Sequence, residues 1–265
     1  MTDKIIFGRY IPVESPLHRM DARAKILFVF GFICIVFLAN NVITNAILLG
    51  FTILAILLSN VPVKFLLNGL KPIFIIILFT FFLHVFFTRE GALVADWGWI
   101  KIYEGGIRQG VFISLRFVYL IFVTSLLTLT TPPITLTDGI ESLLNPFKKV
   151  KLPVHELALM MSISLRFIPT LMEETEKIMK AQTARGVDFS TGPIKERIKA
   201  IVPLLIPLFV SSFKRAEELA LAMEARGYKG GEGRSKYREL IWSTRDHILL
   251  FLFIVLTLIL WFLRS

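Results

Sequence analysis

The stretch Ile107–Thr131, IRQGVFISLRFVYLIFVTSLLTLTT, carries only two charges, Arg108 and Arg116, in 25 residues. A helix of that length rises about 37 Å, more than the roughly 30 Å of a bilayer's hydrocarbon core. The stretch reads as a membrane span, and the rest of the chain is placed by working outward from it. Toward the C-terminus the next long apolar run is His247–Leu263, and toward the N-terminus it is Pro72–Phe87, rich in phenylalanine. Two shorter runs, Ile26–Ala39 and Ala46–Leu58, stand on either side of Asn40, Asn41 and Asn45. With those amides at headgroup level the two runs make a tight hairpin of two spans. The alternative, one long kinked segment, strands three amides in hydrocarbon. About five spans are expected.

Composition agrees with this reading. Of 265 residues, 55% are hydrophobic and 19% charged, and the mean hydropathy is +0.69. A soluble domain sits nearer half apolar and a quarter charged. Lys and Arg outnumber Asp and Glu by 30 to 20. In a membrane chain that surplus reports cytoplasmic loops facing anionic lipid, so nucleic-acid binding is the weaker explanation. Cys34, alone and inside an apolar run, excludes an intrachain disulfide and reads as a packed structural thiol. The chain opens with about 25 mixed polar residues, so no secretory signal peptide is expected.

The basic residues orient the spans. Lys4, Arg9, Arg19, Arg23 and Lys25 precede the first run, and Lys64 and Lys71 follow the second without an acid. The loop after the third run is neutral and carries Trp97 and Trp99, which suit an interface. From Pro132 to Arg245 there are 18 Lys and Arg against 13 Asp and Glu. This asymmetry predicts a multi-pass protein of the cytoplasmic membrane, with the N-terminus and residues 132–245 in the cytoplasm and the C-terminus outside. Three regions follow: an N-terminal transmembrane region of four spans over 1–131, a cytoplasmic helical region over 132–245, and a C-terminal span over 246–265.

The cytoplasmic region reads as three helices. A short one starts near Thr137 or Asp138 and ends before Pro146. The second begins after Pro153 and runs to Arg185, where Gly186 stops it; the third runs from Pro193 or Ile194 to Arg226, stopped by Gly227. Each long helix is apolar at its start and charged toward its end. The apolar stretches, Leu157–Met161 and Ile201–Val210, are too short to span and are expected to be buried against other helices. Pro169, Pro203 and Pro207 bend the helices, and Ala216, Ala220 and Ala222 permit a close crossing. The fold class is therefore an all-α integral membrane protein with an insert in which two helices are long and cross.

Both long helices end in one tripeptide, Ala184-Arg185-Gly186 and Ala225-Arg226-Gly227. A single copy is explained by a cation complementing a helix C-terminus. Two copies on two similarly split helices favour docking, because a guanidinium pairs bidentately with carboxylates in a groove.

In order along the chain, Ser15-Pro16-Leu17-His18-Arg19-Met20-Asp21-Ala22-Arg23-Ala24-Lys25, Thr131-Pro132-Pro133, Leu165-Arg166-Phe167-Ile168-Pro169 and the two Ala-Arg-Gly tripeptides resemble the transmembrane T component of energy-coupling factor transporters, vitamin-uptake ABC transporters of prokaryotes. The resemblance covers almost the whole chain. It implies a non-catalytic scaffold whose Ala184, Arg185, Gly186, Ala225, Arg226 and Gly227 dock on two cytoplasmic ATPase subunits. It also implies that Leu157, Met160, Met161, Leu204, Leu205, Leu208 and Phe209 face a small membrane-embedded vitamin-binding subunit. ATP and Mg are then bound by the partners, with no cofactor in this chain.

Other chemistry finds little support. Arg116 falls near mid-membrane, but Ile113-Ser-Leu-Arg-Phe117 repeats as Ile163-Ser-Leu-Arg-Phe167, and no acid in the spans matches it; packing or a polar contact is expected. His84 reads as a hydrogen-bonded packing residue. His155 and Glu156 have no third ligand at metal spacing. Gly105-Gly106 and Gly230-Gly231-Glu232-Gly233 lack the Lys-Ser/Thr of a phosphate loop. A membrane-embedded enzyme acting on a lipid would want clustered acids or histidines near the interface, whereas the spans hold Arg116, His84 and His247. A stand-alone carrier would want broken, repeated spans around a polar midplane.

Overall fold

The computed structural model describes residues 10–97, 100–150, 153–189, 193–230 and 239–264. Lys4, Arg9, Trp99, Gly231, Glu232 and Gly233 lie outside the described residues. The described residues are mostly helix: α1 Ala22–Val36, α2 Val42–Ser59, α3 Val63–Phe87, α4 Glu104–Thr130, α5 Pro133–Leu144, α6 Val154–Ala184, α7 Ile194–Ala225 and α8 Thr244–Phe262. Between α3 and α4 stands a two-stranded antiparallel hairpin, β1 Leu93–Trp97 and β2 Ile100–Tyr103. The neutral loop expected after the third span holds this hairpin.

Two compact units form, Met1–Leu143 with Glu239–Ser265, and Leu144–Arg238. In the first unit α4 is central, with α1, α2 and α3 packed against it and α8 against α1. Its core is Phe28, Phe32, Val36, Leu48, Tyr119, Val123, Leu256 and Leu260. Gly106 and Gly110, one turn apart, let α4 approach α3: a Cβ at either would stand 2.8 Å from the His84 carbonyl or 3.1 Å from the Phe81 carbonyl. Outside this core, large apolar side chains such as Ile75, Phe79, Phe87 and Phe262 point outward. That inside-out distribution suits a surface solvated by lipid.

Among the described residues five helices are long and apolar enough to cross a membrane: α2, α3, α4, α6 and α8. The set differs from the expected one at two places. The chain does break at Phe37–Asn41 into two helices, but α1 has 15 residues, about 22 Å, short of the hydrocarbon thickness. α6 joins the set because its 31 residues form one uninterrupted helix, although its 18-residue apolar window has a mean hydropathy of 1.2, below the 2.0–2.3 of the other four.

Two local expectations are corrected, the start of α5 and the packing of Cys34. α5 starts at Pro133, whose fixed φ suits a first turn, and Thr137 is interior, its hydroxyl donating to the Pro133 carbonyl at 3.1 Å. α5 packs in the first unit, where a Cβ on Gly139 would come within 3.1 Å of Ala22 and Ile26. Cys34 is exposed rather than packed, because Phe32, Ile35 and Val36 take the core face of α1.

Candidate functional site: two arginine-capped helix ends

α6 and α7 end in the same backbone motif. In α6 the C-cap is Arg185; the Gly186 N–H donates to the Thr183 carbonyl at 2.9 Å and the Val187 N–H to the Gln182 carbonyl at 3.0 Å. In α7 the C-cap is Arg226; Gly227 donates to Glu224 at 2.8 Å and Tyr228 to Met223 at 3.0 Å. Both are Schellman motifs, which close the last carbonyls of a helix through a left-handed residue. Gly186 has φ +88° and Gly227 φ +73°, and a Cβ at either would meet no atom within 4 Å. The glycines are therefore required by backbone conformation alone, since a side chain there costs about 1 kcal/mol or more. Each arginine follows as the last residue before the turn. Both are exposed, and neither guanidinium bonds to a described residue.

The two helices pack antiparallel. Gln182 Nε2 reaches the Pro203 carbonyl at 3.4 Å, Glu174 meets Ser211 and Arg215, and Ile163, Phe167 and Leu171 share a groove with Ala216, Leu219 and Met223. Ala216 and Ala220 line that groove as the crossing requires, whereas Ala222 is exposed away from it. Antiparallel packing puts Arg185 and Arg226 at opposite ends of the pair, on the order of 40 Å apart along it by helix rise.

The apolar residues picked out from sequence divide the same way. Leu157, Met160 and Met161 are exposed on α6 toward the Arg226 end. Leu205 and Phe209 are exposed on α7 toward the Arg185 end, with Leu204 and Leu208 half-buried beside them. The structure does not gather these seven residues into one patch; two patches stand on the order of 30 Å apart along the pair.

In the first unit the segment Ser15–Lys25 takes part in a buried polar knot. Asp246, fully buried, accepts from the Asp21 N–H at 2.8 Å, and its other oxygen accepts from the Ser243 N–H and hydroxyl. Asp21 caps α1 and pairs with Arg23 at 2.8 Å; Arg23 also donates to the Leu240 carbonyl and stacks over Trp242. Lys25 donates to the Thr130 carbonyl at 3.1 Å and to the Thr131 hydroxyl at 2.9 Å. Burial pushes its pKa down to about 8, with Asp246 and Asp21 acting the other way. His18 Nε2 donates to the Ile11 carbonyl at 3.0 Å, and Nδ1 then accepts from the Ser15 hydroxyl at 2.6 Å. The knot thus ties together α1, the end of α4 and the start of α8. The alternating Asp, Arg and Lys of Asp21–Lys25 was the visible signal, but Asp246, 225 residues away, could not be paired with it from spacing.

Arg116 has a packing role. It donates to the Ala39 carbonyl at 2.8 Å and to Asn40 Oδ1 at 2.9 Å, tying α4 to the α1–α2 turn. His84 Nδ1 lies 3.4 Å from the Thr88 hydroxyl one turn on. Among the described residues no three His, Cys, Asp or Glu side chains are grouped to hold a metal ion.

Residues 13–237 match a protein-family model, CbiQ, described as cobalt transport protein. Over 265 residues, all of both chains, the sequence is 65% identical to the energy-coupling factor transporter transmembrane protein EcfT of Bacillus subtilis (strain 168). It is 61% identical to the protein of the same description from Exiguobacterium sibiricum, over 98% of this chain and 99% of that one. It is 57% identical to that of Listeria innocua serovar 6a, over the full length of both.

Proposed function

The chain belongs to the CbiQ family and to the energy-coupling factor transporter transmembrane proteins, and from that premise we propose that it is the scaffold joining two cytoplasmic ATPase subunits to a small vitamin-binding membrane subunit. In this reading Arg185 and Arg226, each with its Ala and Gly neighbours, dock on one ATPase apiece. Residues 132–245 and the N-terminus face the cytoplasm, and ATP and Mg are bound by the partners. The patches Leu157, Met160, Met161 and Leu204, Leu205, Leu208, Phe209 lie against the vitamin-binding subunit. When the ATPases close, the arginine-tipped helices move with them and tilt that subunit; this chain transmits force and does no bond chemistry.

One observation carries the reading: two identically capped arginines, unpaired within the described residues, at opposite ends of one antiparallel helix pair. A cation that only complemented its own helix end would need neither the shared tripeptide nor the exposure. Two tips held apart by a rigid pair suit two equivalent grooves on a dimeric partner, where the second contact forms at high effective concentration. Photo-crosslinking residues placed at Ala184 and Ala225 test it. The expected products join the chain to one ATPase from either position and to two ATPases from both. Crosslinks from both positions to the vitamin-binding subunit alone contradict the assignment.

A further inference from the structure

α6 and α7 are held at their centre by an ion pair. Glu174 Oε1 accepts from the Ser211 hydroxyl at 2.5 Å, and Oε2 lies 3.3 Å from Arg215 Nη2. The side chains are 23% and 38% exposed. Glu174 Oε2 and Arg215 Nε are both shut off from solvent without a hydrogen-bond partner, so the pair is a single contact with capacity for a second. Elsewhere the interface is mostly apolar, with Ile163, Phe167 and Leu171 facing Ala216, Leu219 and Met223 on one side of the pair. Apolar ridges alone permit sliding by a turn; one charged pair among them fixes a register, the best-attested use of such pairs.

Its position in the repeat is specific. The shift that carries Ala184-Arg185-Gly186 onto Ala225-Arg226-Gly227 also carries Glu174 onto Arg215. Two equivalent helices packed antiparallel are related by a two-fold axis, and only residues on that axis meet their own equivalents. Glu174 and Arg215 do meet, so the axis passes between them. Each arginine tip stands 11 residues beyond its pivot residue, an arm of about 17 Å.

We propose that Glu174 and Arg215 are the pivot of the helix pair: positioning residues that lock α6 on α7 at the pseudo-two-fold axis, so that force at the tips turns the helices about one point instead of sliding them. This rests on the scaffold function above. An ion pair that merely adds packing stability would change assembly or thermal stability, and not the ratio of transport to hydrolysis.

The test uses the complete transporter in proteoliposomes, with the ATPase pair and one vitamin-binding subunit, and reads uptake of that subunit's radiolabelled vitamin per ATP hydrolysed. Glu174→Gln and Arg215→Gln are expected to retain co-purifying ATPases and hydrolysis while the ratio falls roughly three- to thirtyfold, the span of coupling changes made by residues within a coupling network. Arg215→Lys, which keeps the charge, is expected to lie between. The exchange Glu174→Arg with Arg215→Glu is expected to restore at least half of the ratio. An unchanged ratio in the single variants, or an exchange no better than either single, overturns the pivot. Failure of the unaltered chain to bring down ATPases overturns instead the scaffold function on which the pivot rests.

Discussion

Arg185 and Arg226 are placed by their neighbours. The glycine that follows each adopts positive φ, the helix ends there, and the preceding residue is left as an exposed C-cap with its side chain outside the last turn. Alanine before it adds helix propensity and little bulk. Lys25 is placed by the opposite logic, in a buried knot where, among the described residues, its ammonium donates to neutral oxygens. Its folded pKa of about 8 lies below the ordinary lysine value of 10.5. Between those values the unfolded chain binds more protons than the folded one, so stability rises with pH across that window and is flat below it. The full span is roughly 3 kcal/mol. In detergent, the thermal midpoint of the unaltered chain should therefore gain on that of Lys25→Met as pH rises from 8 toward 10. A gap that stays constant over that range contradicts a charged, buried Lys25.

Among the elements, those set by one local rule were legible in the sequence. α6 and α7 end within one residue of the expected arginines because a glycine stop is a single-residue signal, and α6 begins after Pro153 for the reason proline suits a first turn. α5 and the β1–β2 hairpin were not, since Pro133 competes with Asp138 as a start and the short strands hold a weak alternation beside glycines. The antiparallel course of α7 along α6, and with it the Glu174–Arg215 contact, depends on tertiary packing that no periodicity encodes. Orientation belongs to this scale too. Arg89 precedes the hairpin and Lys229 follows α7, both exposed. In a Cys34→Ala background, Arg89→Cys should react with an impermeant thiol reagent in intact cells, and Lys229→Cys only after permeabilisation. The reverse pattern would put the arginine tips on the wrong side of the membrane for an ATPase.

At the scale of the whole molecule, the chain divides its labour between two units, each described by its own packing. The unit holding α1–α5 and α8 has a phenylalanine-rich core, outward apolar faces and a buried polar knot, features of a membrane-seated base. Among its described residues, the unit holding α6 and α7 has a small interface, one central ion pair and two free cationic ends, features of a lever. The claim that joins them is that the two ends together hold the ATPases. Breaking a desolvated charge pair at an interface costs roughly 2–5 kcal/mol, and two contacts on one partner reinforce each other beyond their sum. A cation serving only its helix dipole is worth a few tenths of a kcal/mol, and lysine replaces it without loss. The direct measurement is ATPase co-purification and vitamin uptake for Arg185→Ala, Arg226→Ala, the double alanine variant and the double lysine variant. Each single variant is expected to weaken assembly, the double alanine to lose assembly and uptake, and the double lysine to recover part of both. A double alanine variant that assembles and transports like the unaltered chain would contradict it.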